Sequence, residues 1–165
     1  MTSIIKVDTL QKANGATPTA ADLGINTTGT LINYSSTQSK NNISTTSTSW
    51  SSTGLSLTYT PLYSNSKLVI TLEGGRYWCG TNTVQLNLDL YKNGTSMTGG
   101  IWGALYTTGM MHVSHNNRYE ETSGSTTSRT YAVYFKTANS GVTTELNNSS
   151  TNRIPIALTL QEIAG

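Results

Sequence analysis

The chain has 165 residues, of which 35% are hydrophobic and only 11% charged, with a formal net charge of +2; that is enough for one domain with a core and too little for two domains and a linker. Its ten Lys and Arg run from Lys6 to Arg153 without a cluster of three, so the concentrated basic face that nucleic acid requires is missing despite a pI near 8.7. No apolar run nears the ~20 residues of a membrane span, which sets membrane insertion aside.

The first segment, 3-SIIKVDTLQKANGATPTAADLGINT-27, interrupts Ile4, Ile5, Val7 and Leu10 with Lys6 and Asp8. It therefore alternates like a short strand and lacks the continuous apolar stretch of an export signal. Asn14-Gly15 and Pro18 then punctuate the backbone, leaving room for one brief turn at Thr19–Leu23 at most. Residues 1–30 are expected to form an extended arm with a half-apolar tip.

From Leu31 the rhythm changes to short runs of period two, separated by Ser, Thr, Asn and Gly. Leu55, Leu57 and Tyr59 alternate with Ser56 and Thr58, and Pro61 ends the run. Leu68, Ile70 and Leu72 form the next strand, in which Val69 predicts burial on both faces. Val84, Leu86, Leu88 and Leu90 share one side and Gln85, Asn87 and Asp89 the other, the pattern of a half-buried strand. Asn93-Gly94 supplies the two positive-φ residues of a type I′ hairpin.

Further strands are predicted at Ile101–Tyr106, Met110–Ser114, Thr130–Lys136, Val142–Leu146 and Ile154–Glu162. Gly74-Gly75 and Gly99-Gly100 read as bends or bulges. Eight or nine strands in residues 31–165, with no sustained helical period, predict an all-β fold: an antiparallel jelly-roll β-sandwich behind the arm. The final strand adds non-polar Ala157 to the alternating Ile154, Ile156, Leu158 and Leu160, a surface that a symmetric oligomer would bury.

The chemistry-bearing residues are sparse. His112 and His115 have an H-x-x-H spacing, but on a strand residues three apart face opposite ways. Glu120 and Glu121 are expected in the loop that follows and do not make a glycosidase pair if extended, because neighbours on a strand face apart. Cys79, the lone cysteine, sits in Tyr77-Trp78-Cys79-Gly80 and reads as a buried inert thiol, with no partner for an internal disulfide or a Cys-based zinc site. No catalytic residue, metal or cofactor is expected. Trp102, Tyr106 and Tyr119 remain as receptor-binding or subunit-interface aromatics, since Trp and Tyr give large contact area at low entropic cost.

The leader S-I-I-K-V-D-T-L-Q-K-A-N-G resembles that of tailed-phage virion proteins, especially phages of aquatic bacteria. The blocks 48-TSWSSTGLSLTYTPLYSNSKLVIT-71, 88-LDLYKNGT-95, 129-RTYAVYFK-136 and 154-IPIALTLQEIAG-165 resemble the C-terminal domains of phage fibre and capsid decoration proteins. The resemblance implies a homotrimeric knob at residues 31–165, similar to tumour-necrosis-factor-like and C1q-like jelly rolls, on the virion surface and without enzymatic activity. The arm, with a reach of up to ~100 Å at ~3.3 Å per residue, would add a strand to another virion protein through Ile4, Ile5, Val7 and Leu10. A fibre tip would bind a host surface glycan near Trp102, Tyr106 and Tyr119; a decoration protein would cement the head shell.

Overall fold

The computed structural model describes residues 11–18, 28–79, 84–107, 112–147 and 154–165. Two antiparallel sheets face each other. The first contains β1 (Leu31–Ser39), β11 (Ile156–Ile163), β4 (Lys67–Cys79) and β8 (His112–Thr122) in that order, with the short β10 (Thr144–Leu146) and β2 (Ile43–Thr45) extending it beside the last part of β4. The second contains β3 (Ser51–Tyr59), β9 (Arg129–Thr137) and β5 (Val84–Lys92), then β6 (Thr95–Ser96) and β7 (Gly103–Thr107) in tandem along one edge of β5. Successive long strands alternate between the sheets, and early strands pair with late ones: β1 with β11, β3 with β9. This nested wrap is the jelly roll that the strand spacing predicts.

Period two explains the core. Leu55, Leu57 and Tyr59 from β3, Tyr131, Val133 and Phe135 from β9 and Leu86, Leu88 and Leu90 from β5 point inward, against Leu68, Ile70 and Leu72 of β4 and Ile156, Leu158 and Leu160 of β11. Val69, on the outer side of β4, is also buried. Its neighbours across the sheet, Gln161 and Glu120, account for this within a single chain. Ile154 lies before β11 and is exposed. Cys79 is buried as expected, and burial pushes its thiol pKa up.

Glycine is required at two irregularities. At Gly74-Gly75, β4 exchanges its neighbour β11 for β10, and both residues have positive φ. A Cβ on Gly74 would lie 2.5 Å from the carbonyl oxygen of Pro155, so only glycine fits. The hairpin at Asn93-Gly94 has φ of 50° and 82°, the paired positive values of the predicted turn.

Two sequence expectations are corrected. Glu120 and Glu121 belong to β8 and not to a loop, because that strand continues eight residues beyond the predicted Ser114. Two of the three polar residues of β5 are not solvated: Asn87 is 4% exposed and Asp89 0%. Tyr91 and Leu88 pair with Ser96 and Gly103, so two residues of β5 (89 and 90) are matched by six (97–102) on the neighbouring strand. The surplus forms an excursion beside Asp89.

The termini of the domain meet at one end. The N–H of Gly29 donates to the carbonyl of Ala164, whose own N–H donates to Thr30, both at 2.8 Å. That end also holds residues 60–66, the Asn93-Gly94 hairpin and residues 123–128. The opposite end holds residues 40–42, 46–50 and 138–143.

Candidate functional site

β8 and the β6–β7 edge of the other sheet form a seam, closed by three successive inward residues of β8. Asn117 Nδ2 donates to the Trp102 carbonyl at 2.8 Å, Tyr119 Oη donates to the Met97 carbonyl at 3.4 Å, and Glu121 accepts from Lys92 Nζ at 2.6 Å. The approach is close: a Cβ on Gly103 would meet Asn117 Nδ2 at 2.3 Å. Trp102 and Tyr119 are therefore brought together, both partly buried and packed on the core. Tyr106 is not with them. It lies on the outer face of β7, opposite Gln85, and is 61% exposed.

At the terminal end of the seam Glu121 is held from three sides. Tyr131 Oη donates to Oε1, Lys92 to Oε2, and Arg129 Nη1 lies 3.7 Å from Oε1. Burial, reinforced by Glu121, pushes the Tyr131 phenol far above its ordinary pKa, so it stays a donor. Arg129 also donates to the carbonyls of Ser123 and Ser125, each at 2.8 Å, which ties residues 123–128 to the sheet. Two cavities adjoin this cluster and share Lys92: one of about 410 Å³ lined by Asn93, Ser123, Ser125, Thr127, Ser128 and Arg129, and one of about 240 Å³ lined by Thr95, Ser96, Met97, Tyr119 and Glu121.

Glu120 faces outward, bridging Lys67 at 3.0 Å and Arg118 at 2.5 Å. A hydrogen bond from Lys67 leads the causes that hold its carboxyl below the usual range. The tandem acids thus lie on opposite sides of one strand, the arrangement expected of any extended pair. His112 and His115 both fall within β8.

A second surface was hidden from motif reading. The outer face of the β3–β9–β5–β7 sheet carries Tyr91 and Tyr134 stacked with ring centroids 4.0 Å apart, and Lys136 Nζ 4.5 Å above the Trp50 ring. Tyr134 and Lys136 alternate with the core residues Tyr131, Val133 and Phe135, so period two alone assigns them outward. Trp50, just before β3, and Tyr106 on β7 stand at the two lateral edges of the face. Aromatic side chains with a lysine between them are chemically suited to stacking on sugar rings.

No protein-family model matches the chain, and no curated protein matches it in sequence. Among solved structures, latent dimeric PorU from Porphyromonas gingivalis is similar over 82% of this chain, with a TM-score of 0.42 and 9% identity. This chain spans 14% of PorU's length, and a likeness of that size carries no functional argument. The anchor candidates Ile4, Ile5, Val7 and Leu10 lie outside the described residues.

Proposed function

We propose that this protein is a non-enzymatic component of a phage virion surface: a homotrimeric jelly-roll knob, held to the particle by its N-terminal arm, that acts as a short tail fibre or fibre tip and binds a host surface glycan. The observation that carries the reading is the polarity of the domain. Residues 28–30, through which the arm enters, are zipped to Ala164 at one end of the sandwich. Leu31, Tyr34, Leu62 and Tyr63 are exposed towards that same end. Trp50, Lys136 and Tyr106 lie towards the opposite end, the one that an arm-anchored knob would turn to the host.

The exposed apolar residues also support a second reading. A decoration protein would seat Leu31, Tyr34, Leu62 and Tyr63 on the capsid and use the arm as a clamp. Copy number separates the two, measured as the amount of this chain relative to the major capsid protein in purified particles. A fibre is present in tens of copies or fewer, a decoration protein in hundreds, and absence from particles overturns both.

A further inference from the structure

Two acids are buried among the described residues, Asp89 and Glu162, and a third, Glu121, is partly buried; their surroundings differ. Glu162 accepts from four neutral donors, and Glu121 faces two cations and a phenol. Asp89 receives one bond, from Thr98 Oγ1 to Oδ1 at 2.5 Å, and its Oδ2 is buried without a partner. Two residues away on the same side of β5, Asn87 Oδ1 is also buried without a partner. Both orphan atoms are acceptors. The nearest lysine across the sheet, Lys136, is paired opposite Asn87 but carries its ammonium to the Trp50 ring.

A wholly buried carboxylate with a single hydroxyl donor is costly, and what offsets it must bring positive charge or hydrogen-bond donors. The adjoining chain favours a metal ion. Residues 97–102 are pinned at both ends, by Met97 N–H to the Leu90 carbonyl at 2.8 Å and by Trp102 N–H to the Leu88 carbonyl at 2.7 Å. Between the pins, Gly99 and Gly100 have φ of 73° and 124°, which lets the excursion fold back on itself. A turn at Gly99-Gly100 engages the Thr98 carbonyl, while those of Gly99, Gly100 and Ile101 accept no hydrogen bond among the described residues.

We infer that the space between β5 and residues 97–102 binds a hard divalent cation, Ca²⁺, with Asp89 Oδ2 and Asn87 Oδ1 as side-chain ligands and the Gly99-Gly100 excursion supplying backbone oxygens. All-oxygen donors select Ca²⁺ or Mg²⁺ over softer metals, and a pliable glycine excursion suits the irregular shell of Ca²⁺ better than the strict octahedron of Mg²⁺. With one carboxylate, the site belongs with the weak extracellular class, Kd ~10⁻⁴–10⁻³ M. This departs from the sequence expectation of no metal. It does not rest on the virion reading, and the bound ion would fix the excursion that carries the exposed Ile101.

The test is calorimetric titration of CaCl₂ into full-length protein stripped with EDTA, with melting curves at each end point. One saturable site per chain is expected, with a Tm rise of about 3–6 °C at ten times Kd. Asp89→Asn should weaken binding at least tenfold yet melt no lower than wild type in EDTA, because it removes the uncompensated charge. Asn87→Asp adds a carboxylate and should bind Ca²⁺ about tenfold more tightly. If a water bridges the two acceptors, or the Asn87 amide turns to donate to Asp89, no saturable binding appears up to about 10 mM Ca²⁺ and the inference fails. Unchanged affinity in both variants would place the ion elsewhere and overturn it equally.

Discussion

Where the termini of the domain meet, two acids are fully engaged; towards the far end the prominent groups are aromatic. Glu162 is wholly buried, taking hydrogen bonds from Tyr59 Oη and Ser66 Oγ at 2.5 Å and from the N–H groups of Leu62 and Tyr63 at 2.9 and 3.1 Å. Glu121 locks residues 123–128 to the seam through Arg129. Trp50, Lys136 and Tyr106 make no comparable polar lock. Both ends pin loops with polar side chains, since buried Asn147 ties residues 39–41 to Arg76 at the far end, but the terminal end does so with the carboxylates of Glu162 and Glu121. The terminal end is therefore the one whose stability depends on ionised side chains.

The sharpest way to break this comparison is Glu162→Ala. It strands four donors at once and should cost about 3–5 kcal/mol, or roughly 6–20 °C in Tm. A loss no larger than that of a surface substitution would show that the terminal end is not wired as described.

Acid titration examines the same group. Burial works to raise the Glu162 pKa, but hydrogen bonds from Ser66, Tyr59, Leu62 and Tyr63 outweigh it and hold the carboxyl below its ordinary 4.5. A depressed folded-state pKa contributes stability that is present above the unfolded value and lost as pH falls through the folded one. Denaturant melts should therefore show the advantage of wild type over Glu162→Gln intact at pH 7 and shrinking below about pH 4.5.

Tyr131→Phe removes one donor from Glu121 and leaves both cations. It should cost about 1–2 kcal/mol, read by urea denaturation. Smallest in stability are Trp50→Ala and Tyr106→Ala, each within about 0.5–1 kcal/mol of wild type. In a glycan array or host-cell binding assay the same changes should reduce binding at least tenfold if the outer sheet face is the receptor surface. Unaltered binding would move that surface to the seam of Trp102 and Tyr119.

Much of the frame could be read from the chain. The alternation at Leu55–Tyr59, Leu68–Leu72 and Leu86–Leu90 places the core, and Asn93-Gly94 marks its hairpin, because period two and turn chemistry are local properties. What escaped was set by long-range pairing. β8 reads as loop beyond Ser114, since Asn116, Asn117, Arg118 and Glu120 have low strand propensity and are recruited by pairing with β4. The burial of Asp89 follows from six residues facing two across β5 and β6–β7, a mismatch invisible until the strands are paired. Trp102 and Tyr119 stand out in the sequence as aromatics, but nothing local marks Asn117 and Gly103 as the residues that draw their strands into one seam.

Symmetric assembly is the element of the proposal on which arm, knob and avidity all depend. It is tested most directly by the mass of the purified full-length protein in solution, measured by light scattering on a size-exclusion column. A mass near three times 17.7 kDa is the expected result; a clean 17.7 kDa monomer across the concentration range would contradict the trimeric knob.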